Sequence, residues 1–190
     1  MSAQKEDLTG LVVGVAGYLQ SICKKAVDKR CAEQEEFKHE PTNIDLRKWV
    51  ERIYSVSRMS WSGIVQACML LEKIRKRFPA LEFSEVNIRR LFLIAAMITS
   101  KVSEDVTYRN RDWVIIGEEK FSLQEVNEME REMLFLVDYS CNFSREQFEH
   151  FVRAMERRYG LAGPCAPVIF AGQRDGVEDQ RTLFIEFYGD

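Results

Sequence analysis

The chain has 190 residues with 27 Lys+Arg against 30 Asp+Glu, a formal charge of −3, and 46% apolar and 30% charged residues. That balance fits one globular domain with a real core, and it excludes wholesale disorder, collagen-like repeats and disulfide-dense secreted scaffolds. The mild acidity also argues against a general nucleic-acid binder, which carries a basic excess.

The first predicted element is a helix over about residues 7–36, where Leu8, Leu11, Val12, Val15, Leu19, Ile22, Cys23 and Ala26 fall on one stripe. Gly10, Gly14 and Gly17 interrupt it. They either permit a close backbone approach or let the first turns fray, each costing about 1 kcal/mol relative to Ala. Glu6 and Asp7 outweigh Lys5 ahead of the apolar stretch Leu11–Leu19, so it does not read as a secretory signal. Lys24, Lys25, Lys29 and Arg30, followed by Glu33, Glu35 and Glu36, read as a solvated face. His39-Glu40-Pro41 breaks the pattern.

A second helix spans about Ile44–Arg58, with Leu46, Trp49, Val50, Ile53 and Val56 facing inward. A third follows Ser60 to about Arg77, and its basic end Arg75-Lys76-Arg77 suits a helix C-terminus. A fourth runs from just after Ser84 to about Val102. Its stretch Leu91–Ile98 is apolar on every side, which marks a helix wrapped by others. That run is far short of a membrane span of roughly 20 residues.

Residues 103–121 read as irregular, with a short helix around Arg111–Ile116 closed by Gly117. Capping boxes at Ser122/Glu125 and Ser144/Gln147 open two further helices, carrying Val126, Met129, Met133, Leu136 and Val137, then Phe148, Phe151, Val152, Met155 and Tyr159. Residues 161–190 form an irregular tail. Arg174 and Arg181 face Asp175, Glu178, Asp179, Glu186 and Asp190 there, so the tail holds the whole −3. Thr182–Tyr188 is β-prone but has no evident pairing partner. The expected organisation is residues 1–42 as N-terminal helix and linker, 43–160 as an all-α domain around a buried rod, and 161–190 as tail.

The five cysteines, Cys23, Cys31, Cys68, Cys141 and Cys165, form no C-x-x-C pair, and neither His39 nor His150 gives a zinc-ligand spacing. They read as reduced thiols, which favours a reducing compartment, nuclear and/or cytoplasmic. The chain lacks a Gly-rich phosphate loop and a Ser-His-Asp set, so no catalytic residue, cofactor or metal is expected.

Two charges stand against apolar faces. Lys101 follows Met97 by four and Ile98 by three; Glu130 follows Val126 by four and precedes Met133 by three. A charge so placed must reach water or find a partner. Two readings remain open. Lys101 snorkels near a helix end while Glu130 pairs with a neighbouring arginine. Alternatively, both sit at the rim of a groove and grip the backbone ends of a partner helix.

Residues from about 43 to 155 resemble a cyclin box, and in particular the short P/U-type cyclins related to the yeast phosphate-pathway cyclin. The stretches that carry this are Trp49-Val-Glu-Arg-Ile53, Glu85-Val-Asn-Ile-Arg-Arg-Leu91, Ala95-Ala-Met-Ile-Thr-Ser-Lys101 and Asn127-Glu-Met-Glu-Arg-Glu-Met-Leu-Phe-Leu136. Asn87 with Arg90, then Tyr108, Asn110 and Gly117, look like the P/U subtype. The resemblance implies a single five-helix bundle with an added N-terminal helix. It implies a non-catalytic subunit that binds and activates a cyclin-dependent kinase as a heterodimer, without nucleic acid or membrane, in the setting of the cell cycle.

In that family a lysine and a glutamate contact the kinase's regulatory C-helix segment, and the matching positions are Lys101 and Glu130. Ile98, Val102, Leu134 and Tyr139 look like the apolar part of the same contact, with Tyr139 where many cyclins place Phe. The chain also departs from the larger cyclins. Leu46-Arg-Lys-Trp-Val50 stands where they carry a substrate-docking patch, and residues 161–190 do not amount to a second repeat. A cyclin-fold adaptor or a transcription-factor-type protein without kinase activation is the alternative.

Overall fold

The structure is a computed structural model that describes residues 2–23, 45–118 and 120–163, with the backbone alone for residues 2–8. Among the described residues there are seven helices: α1 Ser2–Ile22, α2 Leu46–Ser57, α3 Trp61–Arg77, α4 Ile88–Ser103, α5 Asn110–Ile116, α6 Leu123–Leu136 and α7 Arg145–Tyr159. The all-α bundle expected from periodicity is what the chain forms. Expectations for residues 24–44 and for the tail from 164 on, including the basic run at Lys24–Arg30 and the β-prone Thr182–Tyr188, lie outside the described residues.

α4 is the axis. Every residue from Ile88 to Ser100 is buried, and α3 and α6 pack along it. Leu91–Ile98 meets apolar neighbours on all sides, so the burial of each large side chain contributes about 1.5–3 kcal/mol. The helix starts later than periodicity suggests. The Asn87 side chain accepts from the Ser84 amide at 2.9 Å and donates to the Glu82 carbonyl at 2.9 Å, which holds 84–87 as a turn. An Asn that bonds nearby backbone offers the chain an alternative to helix. Two arginines at the start of α4, Arg89 and Arg90, are buried. Arg90 lies 4.9 Å over the Phe121 ring and 3.4 Å from Glu125.

α1 belongs to the bundle core. Leu11, Val12, Val15, Ala16, Tyr18 and Leu19 are buried, and α1 packs on α2, α3 and α7. Its glycines answer the question that the sequence left open. A Cβ on Gly14 would stand 2.7 Å from Leu161 Cα and 2.9 Å from Leu161 Cβ, so the missing side chain admits the backbone that follows α7. That backbone is tethered from the other side, where Trp61 Nε1 donates to the Ala162 carbonyl at 3.0 Å.

The basic end of α3 does more than screen carbonyls. Glu72 is 1% exposed. The Tyr18 hydroxyl donates to its Oε2 at 3.1 Å, Arg75 Nε donates to the same oxygen at 2.9 Å, and Arg75 Nη2 donates to Oε1 at 2.7 Å. Lys76 adds a second cation 3.8 Å from the same carboxylate. Burial, and then the Glu72 carboxylate, hold the Tyr18 hydroxyl well above its ordinary pKa.

Both capping boxes form. Ser122 with Glu125 opens α6, and Ser144 with Gln147 opens α7. α7 ends on Gly160 at φ 66°, the left-handed conformation that glycine adopts without steric cost.

Candidate functional site

The last turn of α4 is held from several directions. Thr99 Oγ1 donates to the Ala95 carbonyl and Ser103 Oγ to the Thr99 carbonyl, both at 2.8 Å. Just beyond, Glu104 Oε1 accepts from the Ser60 amide at 3.0 Å and the Ser60 hydroxyl at 2.6 Å. An anion is favourable at such a place, because the first amides of α3 lack intrahelical acceptors. Lys101 therefore leaves a helix end anchored to the start of α3.

α6 brings Glu130 to the same place. Lys101 Nζ donates to Glu130 Oε1 at 2.6 Å, with the side chains 30% and 17% exposed. The two charges that stood against apolar faces thus answer each other across the α4–α6 contact, at a rim open to solvent. The local alternative, Glu130 against a neighbouring arginine, is not what forms. Asn110, the first residue of α5, joins the pair. Its Oδ1 accepts from Lys101, and its Nδ2 donates to Glu130 Oε2 at 2.6 Å and to Asn127 Oδ1 at 2.7 Å.

The apolar positions differ in what they offer. Val102 is 47% and Tyr139 70% exposed. Leu134 is partly buried against the core, and Ile98 is buried beneath the rim at 2% exposure. Tyr139 owes its position to the backbone. Asp138 and Tyr139 both adopt φ 55°, and the Tyr139 amide donates to the Leu134 carbonyl at 2.8 Å. Left-handed φ costs a non-glycine residue about 1–2 kcal/mol. α3 supports this corner: Lys73 Nζ donates to the Ser140 carbonyl at 2.7 Å, and Arg77 lies 3.8 Å from Asp138.

A family model for cyclins matches residues 13–141. The chain belongs to the cyclin family. Among curated cyclins, it is 29% identical over 119 residues to Cyclin-U1-1 of Arabidopsis thaliana, covering 63% of this chain and 56% of that protein. It is 25% identical over 131 residues to Cyclin-U4-1 of the same plant, covering 69% and 64%. It is 26% identical over 113 residues to Cyclin-P4-1 of Oryza sativa subsp. japonica, covering 60% and 52%. These relatives place it with the P/U type, and the chain spans about half the length of the curated cyclins it matches.

The match begins inside α1, in keeping with the burial of that helix in this cyclin's core. The thiols of the cyclin are free where described: burial pushes Cys68 and Cys141 up, and Cys23 up to about 12. Among the described residues no group of His, Cys, Asp or Glu could hold a metal, and no helix is long and apolar enough to cross a membrane. Periodicity alone missed Asn110 and Asn127. Neither breaks an apolar pattern, and only their positions in stretches that resemble P/U cyclins mark them.

Proposed function

We propose that this cyclin binds and activates a cyclin-dependent kinase by holding the kinase C-helix in its active position. The observation that carries the reading is the meeting of Lys101 and Glu130 on an exposed rim beside Val102, in a chain of this family. A kinase is competent only when its C-helix places a glutamate against the catalytic lysine. A protein that binds the inward helix better than the outward one shifts that equilibrium by the difference in affinity, without chemistry of its own.

Val102, Leu134 and Tyr139, with Ile98 beneath them, supply apolar surface. Lys101 and Glu130 offer a cation and an anion to backbone groups at the ends of a partner helix, which fixes register more than it adds affinity. The division into residues 1–42, 43–160 and 161–190 and a nuclear or cytoplasmic setting belong to the same proposal.

The test is co-expression of the full chain with each cyclin-dependent kinase of its own organism, followed by a kinase assay on what co-purifies. The double reversal Lys101→Glu with Glu130→Lys keeps an ion pair within the cyclin, so far-UV circular dichroism stays as in the parent while co-purification is lost. Unaltered binding refutes the assignment of these residues. Co-purification without stimulated phosphorylation makes the chain an adaptor.

A further inference from the structure

One side chain joins the three elements that build the rim. We propose that Asn110 is a positioning residue for docking, a clamp that sets Lys101 and Glu130 in their working orientation before any partner arrives. This rests on the reading of the rim given above. The orientation of the Asn110 amide follows from its neighbours. An ammonium only donates and a carboxylate only accepts, so the oxygen must face Lys101 and the nitrogen Glu130. Both amide hydrogens are then used, one on Glu130 Oε2 at 2.6 Å and one on Asn127 Oδ1 at 2.7 Å. Through this residue α4, α5 and α6 share one hydrogen-bonded node.

The node prepares the rim in two ways. Lysine and glutamate lose much rotamer freedom when immobilised. Here both are immobilised as the cyclin folds, so association does not have to order them again. Of the three N–H groups on Lys101, one goes to Glu130 and one to Asn110, which leaves a single donor for a partner carbonyl. A partner without an acceptor at that point desolvates the ammonium for no return, so the clamp also discriminates.

Asn110 is not needed to keep α5 in place. Arg52 donates from Nε to the Ile116 carbonyl and from Nη2 to the Ile115 carbonyl, both at 3.0 Å, and Trp113 and Ile116 are buried. Ala is also the best helix former, so Asn110→Ala leaves the helix intact.

Two measurements test this. In lysine-selective NMR of the full chain, an ammonium held in hydrogen bonds gives a signal that a freely exchanging one does not. The Lys101 signal is expected in the parent and absent in Asn110→Ala. With the kinase recovered by co-expression, Asn110→Ala weakens association about tenfold. In a chain already carrying Lys101→Met and Glu130→Gln, the same change has less than about a twofold effect, because the groups it positions are gone.

A Lys101 signal unmoved by Asn110→Ala overturns the clamp, whatever the kinase does. A signal lost while association is unchanged overturns its part in docking and leaves the reading of the rim standing. A parent chain that recruits no kinase overturns that reading and the docking role with it.

Discussion

Tyr18 meets Glu72 at a place water does not reach, and the substitution Tyr18→Phe removes that contact together with the longer bond from the same hydroxyl to the Cys68 carbonyl at 3.3 Å. The ring keeps its edge contacts with Phe151 at 5.7 Å and Tyr159 at 6.0 Å. Glu72 Oε2 falls from two donors to one, retaining Arg75 Nε at 2.9 Å. With Glu72 1% exposed, no solvent replaces the lost donor. A hydrogen bond to a charged group contributes about 1.5–3 kcal/mol, so the expected loss is about 2 kcal/mol.

For a domain of this size each kcal/mol moves Tm by about 2–4 °C, so the midpoint falls by about 4–8 °C. The assay is urea unfolding followed by circular dichroism, with an unchanged m-value showing that only stability moved. The cycle is completed in a Glu72→Met background, where the hydroxyl has lost its main partner and Tyr18→Phe should cost less than about 0.5 kcal/mol. A loss of equal size in both backgrounds, or none in the parent, refutes the claim that this bond fastens α1 to α3.

Two glycines one turn apart in α1 should respond with opposite signs. Gly14→Ala forces a methyl against Leu161 backbone at 2.7 Å, and overpacking of about 1–3 kcal/mol outweighs the helix-propensity gain of about 1 kcal/mol. Gly17→Ala meets only Tyr159 at 3.5 Å, an ordinary contact, so thermal unfolding should show a gain of about 0.5–1 kcal/mol. Glu156 buries both carboxylate oxygens with no hydrogen-bond partner, and burial raises its pKa. The folded state therefore holds that proton to higher pH than the unfolded chain, and stability is lost as pH climbs from about 4.3 through the raised value. Glu156→Gln should gain up to about 1 kcal/mol at pH 7 and nothing near pH 3, read by denaturation at both pH values.

What could be read from the sequence follows from the range of each interaction. The capping boxes at Ser122 and Ser144 are local, and both form where spacing put them. The apolar run Leu91–Ile98 announces a wrapped helix because no single-faced environment would bury it. The start of α4 was misplaced because a side-chain turn at Asn87 competes with helix without altering periodicity. Glu72 gave no signal, since its partner Tyr18 lies 54 residues away and its neighbours on the chain are basic. Spacing marked Lys101 and Glu130 as charges in need of an explanation. That each explains the other depends on how α4 crosses α6, and the part of Asn110 depends further on where a seven-residue helix begins.

That short helix has a mechanical consequence. Seven residues at about 1.5 Å each make a strut of roughly 10 Å. Arg52 braces one end of it and the Lys101–Glu130 node receives the other. A change at Arg52, on α2 and remote in sequence from the rim, would be transmitted along the strut as a small displacement of Asn110. The geometry of the Lys101–Glu130 pair is thus set in part from α2, by a residue that touches neither charge.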